Sequence, residues 1–386
     1  MLFTSTDFLS LKLPPGIREL RRDIRAFLDE QRAAGRYEPH VGHGEFDPEF
    51  SQALGARGWI GMTWPKQYGG HQRSYLERFV VTEELLAAAA PVAAHWFADR
   101  QTGPSLLRWG SEAQRQKFLP EIAAGRCYFA IGMSEPNSGS DLASVRTHAT
   151  HANGGWVLNG QKVWTSWAHK AHAMFVLCRT SPLVEKKHDG LSQLIVDLKS
   201  PGVTTRPIRF LNGDHHFNEV FFDDVFVPDE MVLGTIGQGW RQVTSELALE
   251  RSGPERYMNT LPLYFALIDA LKDSGDRMAT HLVGTLLARF LSIRTMSLAI
   301  ASEFGRAQVP DLATEAALVK DIGTHFEREI TEAVRSLMDC TPHLERGSEL
   351  ERYLAQATIF GPIGTIRGGT TQILRGIIAK RLGGQP

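Results

Sequence analysis

Between Pro15 and about Arg32 the apolar residues Ile17, Leu20, Ile24, Phe27 and Leu28 recur at three- and four-residue spacing, which places them on one face of a helix. Helical texture continues through Phe50 to Leu54, Leu76 to Ala90 and Ser105 to Leu107. A further helix opens at Ser111, which suits an N-cap, and stops near Gly125. Near residue 126 the pattern changes. Trp156-Val157-Leu158, Ala173 to Cys178, Leu194 to Val196, Val220-Phe221-Phe222 and Val225-Phe226-Val227 are short runs of strand formers, and Asn159-Gly160 is predicted as a hairpin turn. No helices alternate with these runs, so a small antiparallel barrel or sandwich is expected rather than a parallel sheet. After Gly237-Gln238-Gly239 helical spacing returns around 240–252, 255–273, 278–305, 311–340 and 349–359, lengths that suit a bundle. The predicted class is α+β, with an N-terminal helical domain over 1–125, a middle β domain over 126–234 and a C-terminal helical bundle over 235–386.

Composition narrows the partners. The 386 residues exceed what one core holds, since cores stop growing at roughly 250–300 residues. With 42 Lys and Arg against 43 Asp and Glu there is no basic surplus to bind nucleic acid and no acidic field to repel anionic substrates. Cys127, Cys178 and Cys340 lie far apart without CxxC spacing, which suits a reducing compartment and predicts a cytoplasmic protein. No basic segment followed by an apolar one opens the chain, and no run approaches the roughly 18 uninterrupted apolar residues of a membrane span. The histidine pairs His148 and His151, His169 and His172, and His215 and His216 lack a Cys or carboxylate cluster at ligand spacing, so no metal is expected.

The candidate chemistry lies in ordered segments. Tyr128 to Asp141 is an apolar strand, a Glu135-Pro136 stop and a loop, Asn137-Ser138-Gly139-Ser140-Asp141, whose N–H groups and hydroxyls can meet a phosphate or a flavin edge. A plain strand-to-loop turn fits the composition equally. Asn159-Gly160-Gln161-Lys162-Val163-Trp164-Thr165-Ser166 follows, in which Trp164 taken alone reads as a core aromatic. Phe222-Asp223-Asp224-Val225-Phe226-Val227-Pro228 with Gly237-Gln238-Gly239-Trp240, and Ile366-Arg367-Gly368-Gly369-Thr370-Thr371-Gln372-Ile373-Leu374-Arg375, complete the set.

In order and spacing these four segments resemble the acyl-CoA dehydrogenase family over essentially the whole chain, with Ser134 where the family has Thr before Glu-Pro. The resemblance implies FAD. The backbone of Met133 and Ser134 would face the flavin ring, and Ser140 would bond the FAD pyrophosphate or the pantetheine of a thioester. Trp164 would lie against the flavin, Ser166 near the N5 atom that receives hydride, and Thr370 and Gln372 among the FAD contacts. An acyl-CoA substrate, an electron-transfer flavoprotein as acceptor and a homo-oligomer, dimer or tetramer, are implied as well.

Two positions depart from the family pattern. Gly368 stands where many members carry the glutamate that removes the α-proton; it keeps a backbone N–H to polarise the thioester carbonyl but has no base. The isovaleryl-CoA branch and some steroid side-chain relatives take the base from the first long C-terminal helix, at a Glu before Arg, which selects Glu250 beside Arg251. Glu246 and Glu250 share a helix face, and their mutual repulsion raises one carboxyl; the helix is expected to break at Gly253-Pro254. A surface or interface salt bridge suits Glu250 and Arg251 too. The family's Arg-x-x-Phe-Gly segment is missing between Leu261 and Gly275, which opens a heteromer in which a related chain supplies FAD contacts. The expected activity is α,β-dehydrogenation of an acyl-CoA, with a flavin-dependent monooxygenase or oxidase, or a non-catalytic partner subunit, as alternatives.

Overall fold

The computed structural model describes residues 11–42, 44–182, 186–306 and 311–383, and no side chains from 246 to 250. The chain packs as two units. One gathers the described residues of Met1–Glu45, Arg73–Val92 and Ala248–Pro386; the other holds Phe46–Gln72 and Ala93–Leu247.

In the first unit, α1 (Ile17–Ala33) buries Ile17, Leu20, Ile24, Phe27 and Leu28, the apolar stripe expected of it. It packs on α3 (Tyr75–Ala87), which opens with a capping box at Ser74 and Glu77. The C-terminal helices here are α8 (Leu261–Leu271), α9 (Arg277–Glu303), α10 (Ala313–Leu337), α11 (Glu349–Gly364) and α12 (Thr371–Arg381). The span expected to be helical over 255–273 is regular only from Leu261, behind a short turn at Pro254–Arg256, because Pro262 is tolerated in a first turn but not deeper. α11 outruns its expected end: Pro362 falls in the last turn, where the missing amide breaks little of the ladder. Among the described helices α9 alone is long and apolar enough to cross a membrane, with mean hydropathy 1.4 over an 18-residue stretch. It behaves as a bundle helix, since its Arg294 Nε lies 2.5 Å from Glu83 Oε1 of α3 and its Arg289 pairs with Glu329 of α10.

The second unit carries α2 (Pro48–Ala56), α4 (Ala93–Phe97), a π-helical turn (Ala98–Thr102), α5 (Gly103–Trp109), α6 (Glu112–Ala123) and a seven-stranded sheet. Ser111 caps α6 in a full capping box with Gln114, and Gly125 stops the chain at φ +71°. The strands are β1 (Phe129–Gly132), β2 (His148–Ala152), β3 (Gly155–Ser166), β4 (Ala173–Arg179), β5 (Leu191–Asp197), β6 (Val203–Arg209) and β7 (His215–Pro228), ordered β1-β4-β2-β3-β7-β6 with β5 on β4. Helices, sheet and helices therefore follow in the expected order.

The sheet is mixed. Most pairs are antiparallel, but β1 runs parallel to β4 with Phe129 opposite Ala173. A parallel pair needs a crossover of a dozen residues or more, and the β2–β3 excursion supplies it in place of a helix. The predicted turn at Asn159-Gly160 is not one. The chain turns at Asn153-Gly154 (Gly154 φ +78°), and β3 runs straight through Asn159-Gly160 as a bulge against β7. Gly160 is required there: at φ +142°, a Cβ would lie 2.5 Å from Thr147 Oγ1. Asn159 braces the bulge by accepting from the Asp224 backbone N–H at 2.9 Å. Asn-Gly occurs twice in a short span, and the dipeptide alone does not tell a turn from a bulge.

α7 (Gly239–Ser252) carries the chain from the second unit into the first. It ends at Ser252, ahead of an extended Gly253 and Pro254, as the proline requires.

Candidate functional site

β1 delivers the chain to Met133, which packs with Leu142 and Trp240 onto a small core of Val145, Leu177, Leu191 and Val243. The next residues are tied to β3. Lys162, fully buried, places Nζ 2.8 Å from Glu135 Oε1 and 3.1 Å from the Met133 carbonyl oxygen. Val163 N–H donates to the Ser134 carbonyl at 2.9 Å. Glu135 also accepts from the backbone N–H groups of Arg146 at 2.6 Å and Thr147 at 2.9 Å. Burial works to raise the Glu135 carboxyl, but Lys162 and these amides outweigh it and hold the group below its usual range. Burial likewise pushes the Lys162 ammonium down, against the pull of Glu135. The two motifs thus form one rigid object.

Beyond it, Ser138 and Glu135 exchange backbone hydrogen bonds, and Ser138 Oγ donates to the Asp141 carbonyl at 2.6 Å. Ser140 is left exposed on this closed loop. Arg179, buried on β4, donates to the carbonyls of Val145, Ala143, Lys187 and Asp189 and so fixes the segment that follows.

Trp164 corrects the core-aromatic reading. A register shift between Lys162 and Thr165 lifts it out of the β3–β7 ladder at φ +59°, and its side chain is 58% exposed, edge-on to Phe217 at 5.9 Å between ring centres. Lys162 and Thr165 on either side are buried, so the bulge turns the indole outward. Ser166 follows, half-buried and opposite Phe217.

The histidines regroup. His169 stacks on His215 rather than pairing with His172, with ring centres 3.9 Å apart, and both rings hydrogen-bond Asn218 Oδ1, at 3.2 and 2.7 Å. Because that oxygen only accepts, each ring presents an N–H to it. Burial, His215 and Lys170 push His169 down to about 4. No three His, Cys, Asp or Glu side chains among the described residues gather as a metal set.

In the first unit, Arg251 at the end of α7 is buried and its Nε donates to the Gly368 carbonyl at 2.9 Å. Lys320 of α10, fully buried, donates through Nζ to the carbonyls of Gly369 at 2.9 Å and Gly364 at 3.3 Å. Gly368 and Gly369 have φ +65° and +101°, a left-handed backbone that suits glycine, and a Cβ on Gly369 would meet the Arg251 guanidinium at 3.1 Å. Thr370 caps α12, its hydroxyl accepting from Ile373 N–H at 3.4 Å, and Gln372 is exposed in the first turn. This bond brings Arg251 and Gly368 together, a contact the sequence did not predict; the Glu246 and Glu250 side chains lie outside the described residues.

The sequence reading overlooked Glu135, Lys162, Arg179 and Lys320. Glu135 was visible only as half of a Glu-Pro stop. Strict alternation would put Lys162 on one face with Trp164, two residues on, so the burial of Lys162 and the exposure of Trp164 depend on the register shift between Lys162 and Thr165, which the sequence does not mark.

Trp164 is thus an outward indole on a bulged strand of a chain that runs helices, sheet, helices. Residues 15–126 match the family model of the acyl-CoA dehydrogenase N-terminal domain, and residues 130–225 that of the middle domain. The chain is 32% identical over 398 residues to acyl-CoA dehydrogenase IpdE1 of Mycolicibacterium smegmatis, covering 96% of this chain and 98% of that one. It is 35% identical over 343 residues to acyl-CoA dehydrogenase FadE34 of Mycobacterium tuberculosis, covering 86% of this chain and 46% of that longer protein, so it spans about half the length of that relative. The solved structure of the Tcur3481-Tcur3483 steroid ACAD superposes with a TM-score of 0.83 at 29% identity, covering 98% of this chain and 99% of that one. The chain belongs to the acyl-CoA dehydrogenase family, and FAD is its cofactor.

Proposed function

We propose that the chain dehydrogenates an acyl-CoA thioester between its α and β carbons, giving the 2-enoyl-CoA, with an electron-transfer flavoprotein as acceptor. The observation that carries this reading is the Glu135–Lys162 pair, which holds Met133–Ser134 and Val163–Trp164 as one surface beside the exposed indole. FAD, when bound, supplies the hydride-accepting chemistry. Met133 and Ser134 offer their backbone to the ring, Trp164 its face and Ser166 its hydroxyl, while Ser140, Thr370 and Gln372 serve as further cofactor or pantetheine contacts.

Glu250 is the base. It must take the α-proton, because hydride does not leave the β-carbon unless the neighbouring C–H ionises with it. Arg251, next in the chain, holds the Gly368 carbonyl and so sets the backbone at the position that lacks a base of its own. Gly368 contributes an N–H toward the thioester carbonyl. We place the reaction in the cytoplasm and the chain in an oligomer, with itself or with a related chain; the similar steroid ACAD structure carries two designations, Tcur3481 and Tcur3483.

The test is an anaerobic titration of the purified protein with a panel of acyl-CoA thioesters, following flavin absorbance. Bleaching by at least one thioester is expected. Silence toward every thioester, with oxygen consumed by the reduced flavin, overturns the reading in favour of a monooxygenase or oxidase.

A further inference from the structure

The bulge that turns Trp164 outward has two ends. Lys162 is one, held by Glu135; Thr165 is the other, and its carbonyl accepts from Asn218 Nδ2 at 2.9 Å. Asn218 stands opposite Thr165 on β7 and is fully buried. Its amide is used on every side: Nδ2 also donates to the His216 carbonyl at 3.4 Å, and Oδ1 accepts from His169 Nδ1 at 3.2 Å and His215 Nε2 at 2.7 Å. Peptide oxygens only accept, so these two decide which end of the amide faces them, and each ring brings an N–H to the other end. A β-branched residue would hold the ladder at this position as well, without burying an amide that destabilises the sheet wherever one of its bonds goes unmade.

The peptide that the amide grips is a particular one. Trp167 N–H donates to the His216 carbonyl at 2.8 Å, so Ser166 and Phe217, the neighbouring opposed pair, exchange no backbone hydrogen bonds. The Ser166 N–H therefore faces the other edge of β3, which β2 pairs only from Gly155 to Asn159. Val163 N–H likewise turns away from β7, to the Ser134 carbonyl. The Thr165 carbonyl and the Ser166 N–H belong to one peptide, and donation to its oxygen polarises it and makes the N–H a stronger donor.

We infer that Asn218, oriented by the stacked rings of His169 and His215, is a positioning residue for the flavin. It fixes the Thr165–Ser166 peptide, and with it the Ser166 N–H and hydroxyl and the Trp164 indole that the chain offers to the ring. Lys162 and Asn218 then clamp the bulge from its two ends, one through charge and the other through an amide. The inference rests on the reading above in which Trp164 and Ser166 meet FAD.

The test compares FAD-loaded wild type with Asn218→Asp, which keeps the shape and an acceptor for both rings but has no N–H for the Thr165 carbonyl. FAD affinity is expected to fall about tenfold, and the visible absorbance of the bound flavin to shift. With FAD saturating, bleaching by an acyl-CoA is expected to slow about tenfold while the affinity for that thioester stays as in wild type. A residue that only holds the sheet together would lower the folded or loaded fraction and leave the loaded fraction working normally. Asn218→Val, which suits a strand and offers no donor, carries the same expectations should Asn218→Asp not fold. Wild-type FAD affinity and absorbance in the variant that folds overturn the inference, and so does a thioester affinity that falls in step with the bleaching rate. Failure of both variants to fold means that the amide serves the sheet itself, and also overturns it. His169→Phe/His215→Phe keeps two stacked rings and removes both donors to Oδ1; FAD binding is expected to weaken about threefold, and wild-type binding there overturns the part given to the histidines. If no thioester bleaches the loaded wild type, the dehydrogenase reading falls, and FAD affinity with absorbance still decides the role of Asn218.

Discussion

At Met133–Glu135 the loop is fixed by a buried ion pair, with Lys162 reaching both Glu135 and the Met133 carbonyl; at Gly364–Gly369 the loop is fixed by Lys320 and Arg251 donating to backbone carbonyls. The first arrangement is written in side chains of matching charge. The second is written in backbone conformation, with two glycines at positive φ and peptide oxygens as acceptors. The contrast matches the labour we propose for each region: the sheet to present a preformed surface to the cofactor, and the bundle loop to set a peptide for a base carried by α7.

The largest way to sharpen that contrast is Lys162→Met, which leaves Glu135 buried without its counter-charge. A loss of about 3–5 kcal/mol in urea unfolding is expected. Glu135→Gln/Lys162→Met should recover much of it; a double variant no more stable than the single one means that the pair is not what holds the loop.

Next comes acid. His95, buried and bonded to Ser51 Oγ at 2.8 Å, is pushed down to about 4 by burial, so the folded state refuses a proton that the unfolded chain accepts near its ordinary value of 6.5. Stability is whole above that value and is lost as pH falls toward 4, by about 3 kcal/mol. Glu135, also depressed, adds a loss as pH falls below its ordinary value of 4.5 and through its lower folded one. Hydrogen exchange from pH 7 to 4 should show the sheet-bearing unit losing protection before the glycine-loop unit; the reverse order breaks the comparison.

Gly369→Ala is smaller. Its Cβ would crowd the Arg251 guanidinium at 3.1 Å from a backbone at φ +101°, and about 1–2 kcal/mol of stability is expected to go, measured by thermal melts. No loss would mean the loop is free to relax and Arg251 does not define it.

How much of this was legible follows the same divide. Helix α1 announced itself through five apolar positions on one face, and α6 through Ser111, because periodicity and caps are local. The sheet's connectivity was harder: Asn159-Gly160 and Asn153-Gly154 carry the same dipeptide, and only pairing with β7 makes the former a bulge. Trp164 could be placed on a strand but not outside it, since its exposure comes from the register shift beside it. Arg251 and Gly368 were each singled out through family likeness, but their contact was not, and Lys320 holding Gly369 likewise joins residues 49 apart through a peptide oxygen that no side-chain pattern marks.

If cofactor seating and proton removal are divided between the two regions, they can be separated in one anaerobic experiment that records bound FAD and its bleaching by an acyl-CoA in Trp164→Ala and Glu250→Gln. Trp164→Ala is expected to fold normally but to bind FAD about tenfold more weakly. Glu250→Gln is expected to retain FAD at the wild-type level and to bleach at least about a hundredfold more slowly. Wild-type bleaching in Glu250→Gln would contradict this division of labour.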